Sequence, residues 1–172
     1  MPRTNGLNLY KEINMPQIEM RENKVLKLTN VLSRQVPSRE FLNQDKQVQM
    51  MMNWIKAKGY ATMGPLIIYN SGIKGVEADG EPIMDARIMI QLKTAAVRLE
   101  LPYKFEKELR VPDCLLARFN DAPDKLQFAT NKLTLYAYEN DLEITGETYM
   151  VLMNNTDSSI LADVFMPLEF NK

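Results

Sequence analysis

The stretch from Gly146 to Met153 places an acidic side chain beside an aromatic one, at a spacing that could bind a ligand. Glu147 directly precedes an alternating apolar run, so on a β-strand it would share one face with Tyr149 and Val151. A carboxylate that faces a low-dielectric cleft needs a counter-charge, which a cationic ligand could supply. The alternative is a hydrated strand end, or a pair with a basic residue of this chain, and the sequence leaves both open.

Several aromatic residues could form the wall of the same site, because aromatic rings bind flat apolar groups and attract cations over their faces. Tyr69 resembles Tyr149 in lying on a short apolar strand, whereas Trp54 and Tyr136 lie on helical segments where packing of helix on sheet is the simpler explanation. The predicted ligand-binding set is Glu147, Tyr149, Tyr69, Trp54 and Tyr136.

The composition excludes several kinds of chemistry. The chain has no histidine and a single cysteine, Cys114, which excludes an internal disulfide, a Cys/His zinc site and every histidine-based triad. We therefore expect no metal and no cofactor. A net charge of −1 argues against a nucleic-acid partner. The sequence has no apolar run of roughly 18 residues and no signal peptide, so we expect a cytoplasmic protein without a membrane partner.

The first half of the chain predicts a strand, a helix and two further strands. Residues 23–37 are β-branched and alternate before Pro37, which indicates a strand. Apolar residues then recur at helical spacing, with Ser38 as the expected N-cap and Gly59 as the expected stop. Residues 64–70 predict a short strand. An acidic, glycine-rich connection leads to another strand that carries Ile88, Ile90 and Leu92 on one face.

The second half repeats that order. A strand is expected to start after Pro112, and residues 122–140 predict a helix with Pro123 in its first turn. The stretch containing Glu147 and a last strand over residues 160–170 follow. One constant offset pairs three positions of the two halves: Met51 with Leu133, Trp54 with Tyr136, and Gly64 with Gly146.

These elements predict an α+β fold in which duplicated βαββ units form a curved antiparallel sheet, with two main helices and a central cleft. The expected organisation is an N-terminal extension, residues 1–20, followed by a single domain over residues 21–172. Its two halves are expected at about residues 21–100 and 101–172.

Residues 111–155 and the closing run "ADVFMPL" resemble the gyrase-inhibitor-like (GyrI-like) effector-binding domain, a SOUL-like fold found in some bacterial transcription activators. "GETY", from Gly146 to Tyr149, matches the strand of that family that opens with a glutamate followed by an aromatic. "MGPLIIYNSG" matches its strand that ends in a tyrosine, here Tyr69. The resemblance implies a hydrophobic cleft in which Glu147 meets cationic aromatic ligands. No room is left for a helix-turn-helix, so a freestanding domain is expected.

Three functions follow from these observations. We predict a small-molecule-binding domain with a sensor or sequestering role, whose ligand is a cationic or amphipathic organic compound. The alternative is a protein-interaction module, either a gyrase-binding or a secretion-associated partner, for which the Met-rich segment around Met50 and Trp54 could provide an adhesive surface. A carboxylate-based hydrolase comes last, because it rests on family precedent alone and the sequence shows no second acid at a credible position. The oligomeric state is left open.

Overall fold

The computed structural model describes residues 18–170, so the predicted N-terminal extension lies outside the described residues apart from its last three positions. The fold combines α-helices with an antiparallel sheet. The strands and helices, in chain order, are β1 (Glu19–Val36), α1 (Gln44–Ala57), β2 (Thr62–Asn70), β3 (Gly75–Val76), β4 (Pro82–Ile83), β5 (Ala86–Leu92), β6 (Tyr103–Asp121), α2 (Gln127–Glu139), β7 (Thr148–Asn155) and β8 (Ile160–Pro167).

Six strands form one curved sheet that closes on itself in the order β1-β5-β2-β7-β8-β6. Every neighbouring pair is antiparallel. Successive side chains of a strand point to opposite faces, so each strand gives one set of residues to the inside of the barrel and one to the outside. The inside is a packed hydrophobic cluster. Its members include Leu26, Leu28, Val31, Ile67, Tyr69, Met89, Val111, Cys114, Tyr149 and Val151.

The two helices cover the outside of the barrel. Ile88, Ile90 and Leu92 of β5 share a face, as the alternation predicts, and pack with Met51 and Ile55 of α1. On the other side, α2 packs its buried positions on β6 and β8. These positions are Ala129, Leu133 and Ala137, and they meet Phe119, Ala162 and Val164. The helices thus pack on the outer faces of strands whose inner faces line the barrel interior.

The helix ends are only partly as predicted. Gly59 has a φ of +75° directly after the helix, which confirms it as the stop, because glycine adopts this left-handed conformation without steric cost. Ser38 as the N-cap is wrong. Residues 38–43 form a 3₁₀-helix without a side-chain cap, and α1 begins only at Gln44. Pro123 stands in the first turn of a short 3₁₀-helix that leads into α2, as expected.

The strand predicted to start after Pro112 begins at Tyr103 instead, and β1 begins at Glu19 rather than near residue 23. The missed part of β6 alternates charged residues on a solvated face, so its strand character arises from pairing with β1 and not from local hydrophobicity. Pro112 is tolerated within the strand because it lies at a bulge, where the pairing shifts between Leu26 and Lys24 and Asp113 has a φ of +51°.

The long connection between β2 and β5 contains the short hairpin β3–β4, which the sequence did not indicate. It leaves the barrel directly after Asn70 and returns at Ala86. Across residues 18–170, no helix is both long and apolar enough to cross a membrane.

Candidate ligand-binding site

Glu147 lies at the end of the barrel where β2 ends and β7 begins, one residue before β7. Gly146, with a φ of +87°, turns the chain into the strand, and the Glu147 N–H donates to Thr145 Oγ1 at 3.2 Å. The side chain is half-buried. Its Oε1 accepts a hydrogen bond of 2.7 Å from the hydroxyl of Tyr69, so a buried phenol holds the carboxylate in place.

Tyr69 and Tyr149 form an aromatic pair beneath this carboxylate. They stand directly opposite each other on β2 and β7, with ring centroids 4.8 Å apart and ring planes inclined by 48°. Each residue is only 7% exposed, so both rings belong to the packed interior. The structure therefore brings Glu147, Tyr69 and Tyr149 together, three of the five residues in the predicted set.

Both phenols are held in the neutral form. Burial raises the pKa of Tyr69 far above its ordinary value, and the hydrogen bond to Glu147 together with the charge of Glu147 raises it further. Burial and the same negative charge also raise the pKa of Tyr149. Tyr69 is thus a neutral donor to Glu147, and the hydrogen bond leaves the negative charge of the carboxylate uncompensated.

An ion pair on β5 borders Tyr69 on the side away from Tyr149. Arg87 stands opposite Tyr69 in the sheet and donates to Asp85 from Nη2 at 2.6 Å and from Nε at 3.1 Å. Its Cζ lies 5.4 Å from the centre of the Tyr69 ring. The bond to Asp85 raises the pKa of Arg87. We call the partly exposed groups Asp85, Arg87 and Glu147 the site rim; the positive charge of Arg87 is already engaged there.

Trp54 and Tyr136 lie on the outside of the barrel. Trp54 lies on α1, and its ring stacks on Tyr103 at a centroid distance of 4.2 Å and an interplanar angle of 21°. Tyr136 packs in the cluster under α2. The structure brings neither residue to Glu147, and a ligand contact at either one stays a prediction from the sequence.

The sequence did not indicate the pair Asp85–Arg87. The only signal was a charged residue within the apolar run of β5, and that signal does not identify a partner. Arg118 of β6 donates to Asp163 of β8 from Nε at 2.8 Å and from Nη2 at 2.7 Å, a pair that the sequence did not indicate either. Cys114 is fully buried, and burial raises the pKa of its thiol to about 11.

Two surface depressions lie away from Glu147. One, of about 630 Å³, lies between Pro37–Arg39 and the β3–β4 hairpin. The other, of about 660 Å³, lies between the end of α1 and the start of β2. The first is lined by exposed charged residues, among them Arg39, Glu77 and Glu81, and neither depression includes Glu147, Tyr69 or Tyr149. In the part of the chain that the structure describes, no cluster of three or more acidic or cysteine side chains could hold a metal ion.

No protein-family model matches this sequence, and a comparison with curated proteins finds no match either. Solved structures do share its fold. EcmrR, in a cryo-EM structure of an EcmrR–DNA complex, aligns with a TM-score of 0.65 at 14% identity over 92% of this chain and 59% of that chain. The crystal structure of the EcmrR C-terminal domain aligns with a TM-score of 0.65 at 15% identity, over 90% of this chain and 98% of that chain. This chain therefore spans 59% of the longer EcmrR chain.

SAV2435, in a structure bound to tetraphenylphosphonium, aligns with a TM-score of 0.51 at 8% identity. The alignment covers 89% of this chain and 94% of that chain. At such identities these likenesses show a common fold and no more.

Proposed function

We propose that this chain is a GyrI-like domain that binds small organic cations with aromatic or amphipathic groups, in a sensing or sequestering role. The observation that carries the proposal is the state of Glu147. Its carboxylate is half-buried, its side-chain partner is the neutral Tyr69, and it enters none of the ion pairs found among residues 18–170. A negative charge in this setting gains from a cation that sheds its water easily.

The chemistry of the surroundings favours an organic cation over a metal ion. Glu147 is the only carboxylate of the rim without a basic partner, whereas a hard metal ion needs several oxygen ligands. Tyr149 lies directly below, between Tyr69 on one side and the half-buried Phe165 on the other. Aromatic rings attract organic cations and pack against their apolar substituents. A ligand of this class would place its charge at Glu147 and a ring beside Tyr149.

The packed interior sets a condition on binding. Since Tyr69 and Tyr149 are each 7% exposed, a ligand can reach them only if a side chain near the opening moves. Phe165 is the best candidate, because it is half-buried and stands opposite Tyr149 on β8. We infer that rotation of Phe165 opens room for one aromatic group, while Tyr69 keeps Glu147 in place.

The structural relatives support the class of ligand. SAV2435 binds tetraphenylphosphonium, an organic cation with four aromatic rings, and has the same overall fold. The EcmrR C-terminal domain has this fold as well. The order strand, helix, strand, strand of the main elements occurs before and after residue 100, and we attribute it to a duplicated βαββ unit. We assign binding to Glu147, Tyr69 and Tyr149, and packing to Trp54 and Tyr136.

The test is calorimetric titration with tetraphenylphosphonium, and with tetraphenylborate as an anion of the same shape. The cation is expected to bind and the anion is not. Glu147→Gln should weaken cation binding about tenfold, since a half-buried charge pair lies between the small contribution of an exposed pair and the larger one of a buried pair. The matched control is Glu139→Gln, at an exposed position on α2. Equal affinities for both ions, or no effect of Glu147→Gln, would disprove the proposal.

A protein-interaction role is the second candidate, and one observation favours it. Met50 is 43% exposed on α1, as an adhesive surface requires, whereas Trp54 of the same segment is covered by its stacking on Tyr103. Such a role predicts that Met50→Lys abolishes binding of a partner without affecting tetraphenylphosphonium.

A further inference from the structure

Two loops meet backbone to backbone at the site rim. They are residues 71–74, which follow β2, and residues 145–147, which precede β7. A Cβ atom added at Gly72 would lie 2.8 Å from the carbonyl oxygen of Gly146, and one added at Gly146 would lie 3.7 Å from the carbonyl oxygen of Ser71. A side chain at Gly72 would push the loops apart, whereas one at Gly146 would make only an ordinary contact, so it is Gly72 that allows the two loops to approach this closely.

This contact places the ammonium group of Lys74 beside the loop that carries Glu147. Lys74 Nζ lies 4.0 Å from the position a Cβ would take on Gly146, the residue directly before Glu147. The backbone of Lys74 is anchored, because its N–H donates to the carbonyl of Ile83 at 2.8 Å. The positive charge of Lys74 therefore lies beside the backbone of the residue that precedes Glu147.

Lys74 and Glu147 are not joined by a direct ion pair of 4.0 Å or less. In the described part of the chain Lys74 forms no such pair with any other residue either. The basic group of the site rim, Arg87, is held by Asp85 through two hydrogen bonds. Lys74, beside the rim, is thus the basic side chain whose charge is available to a ligand.

We propose that the site takes zwitterionic aromatic ligands, which carry a cation for Glu147 and a carboxylate or similar anion for Lys74. This inference rests on the proposed function, since it assigns the cation to Glu147. A ligand with a positive charge alone meets the attraction of Glu147 but also the repulsion of Lys74. A ligand with both charges satisfies both groups, and its anion replaces water around an exposed ammonium.

Two phosphonium ions of nearly equal size test this inference. Pentyltriphenylphosphonium carries one positive charge, and (4-carboxybutyl)triphenylphosphonium carries in addition a carboxylate at the end of the same chain. The wild-type protein should bind the carboxylate compound about two- to fivefold more tightly, as expected for one exposed charge pair. Lys74→Met should reverse this preference, because only the repulsion between the carboxylate and Glu147 then remains. The control, Lys46→Met at an exposed position of α1, should preserve it.

The outcomes separate this inference from the function on which it rests. If pentyltriphenylphosphonium binds through Glu147 but the carboxylate compound binds no better, the zwitterion inference is overturned and the cation site stands. If the preference exists and survives Lys74→Met, Lys74 is not its source and the inference fails as well. If neither compound binds, the proposed function is wrong, and the zwitterion inference that depends on it is wrong too. Lys74 is exposed in a loop, so Lys74→Met is expected to fold, which a thermal melt verifies.

Discussion

The two buried phenols make the stability of the fold sensitive to alkaline pH. Burial raises the pKa values of Tyr69 and Tyr149, and the charge of Glu147 adds to both effects. In the unfolded chain a tyrosine releases its proton near its ordinary pKa of about 10, whereas the folded protein keeps both protons to higher pH. The unfolded state therefore binds fewer protons in this range, so the free energy of unfolding is expected to fall as the pH rises above about 10.

The size of the effect follows from proton linkage. Each phenol that stays protonated only in the folded state lowers the free energy of unfolding by up to about 1.4 kcal/mol per pH unit. Near pH 10 the phenols of the unfolded chain are only partly ionised. Between pH 10 and 11 each phenol therefore lowers the free energy of unfolding by about 1 kcal/mol, and the two together lower it by about 2 kcal/mol. Tyr69→Phe or Tyr149→Phe should remove half of this loss. The double variant should remove it all.

Urea denaturation at half-unit steps from pH 9 to 11 measures this dependence. Other groups titrate in all variants, so the difference between wild type and variant isolates the phenol. Tyr69→Phe also loses the hydrogen bond to Glu147 and starts less stable, which makes the slope with pH the informative quantity. Tyr138→Phe is the control, because Tyr138 is 81% exposed. Equal slopes in wild type and in both single variants would refute the argument, since the phenols would then ionise freely in the folded protein.

Two further predictions concern stability, and chemical denaturation measures both. Gly72→Ala should destabilise the fold by about 1 to 3 kcal/mol more than Gly80→Ala. Both glycines have a positive φ, but only at Gly72 would an added Cβ meet the Gly146 carbonyl. Equal losses of stability in the two variants would contradict the contact between the loops. Leu133→Ala should cost about 2 to 5 kcal/mol, because Leu133 is fully buried under α2, whereas Leu135→Ala, at a residue 57% exposed on the same helix, should stay within about 0.5 kcal/mol. A large loss at Leu135 would indicate that its face is covered.

The local sequence pattern was enough to predict those features of the fold that depend on residues close together in the chain. Alternation placed Ile88 and Leu92 on one buried face, and glycine chemistry marked the end of α1 at Gly59. The same alternation put Glu147 and Tyr149 on one side of a strand, and in the structure both meet Tyr69, Glu147 through a hydrogen bond and Tyr149 through its ring. These predictions succeed because a side chain's face depends only on the period of its own element.

The rest depends on partners that are distant in sequence. The first half of β6 has a charged, locally weak pattern, and only its pairing with β1 makes it a strand. The salt bridge between Arg118 and Asp163 likewise joins two strands, β6 and β8, across 45 positions of sequence. Trp54 illustrates the same limit, because an aromatic side chain on a helix does not itself tell whether it meets a ligand or packs on the outside of the sheet, as Trp54 does on Tyr103.

The two long strands have a consequence for how the domain folds. β1 and β6 are 18 and 19 residues long, and their pairing joins Glu19 to Arg118 at one end and Arg34 to Tyr103 at the other. Contacts between residues this far apart in sequence form late in folding, because closing the long intervening chain costs conformational entropy before the paired strands stabilise the fold. We therefore expect folding in milliseconds to seconds rather than microseconds. During synthesis, the Glu19 end of β1 has no partner until Arg118 has been made, so we expect this part of β1 to expose an unpaired strand edge to other chains until then.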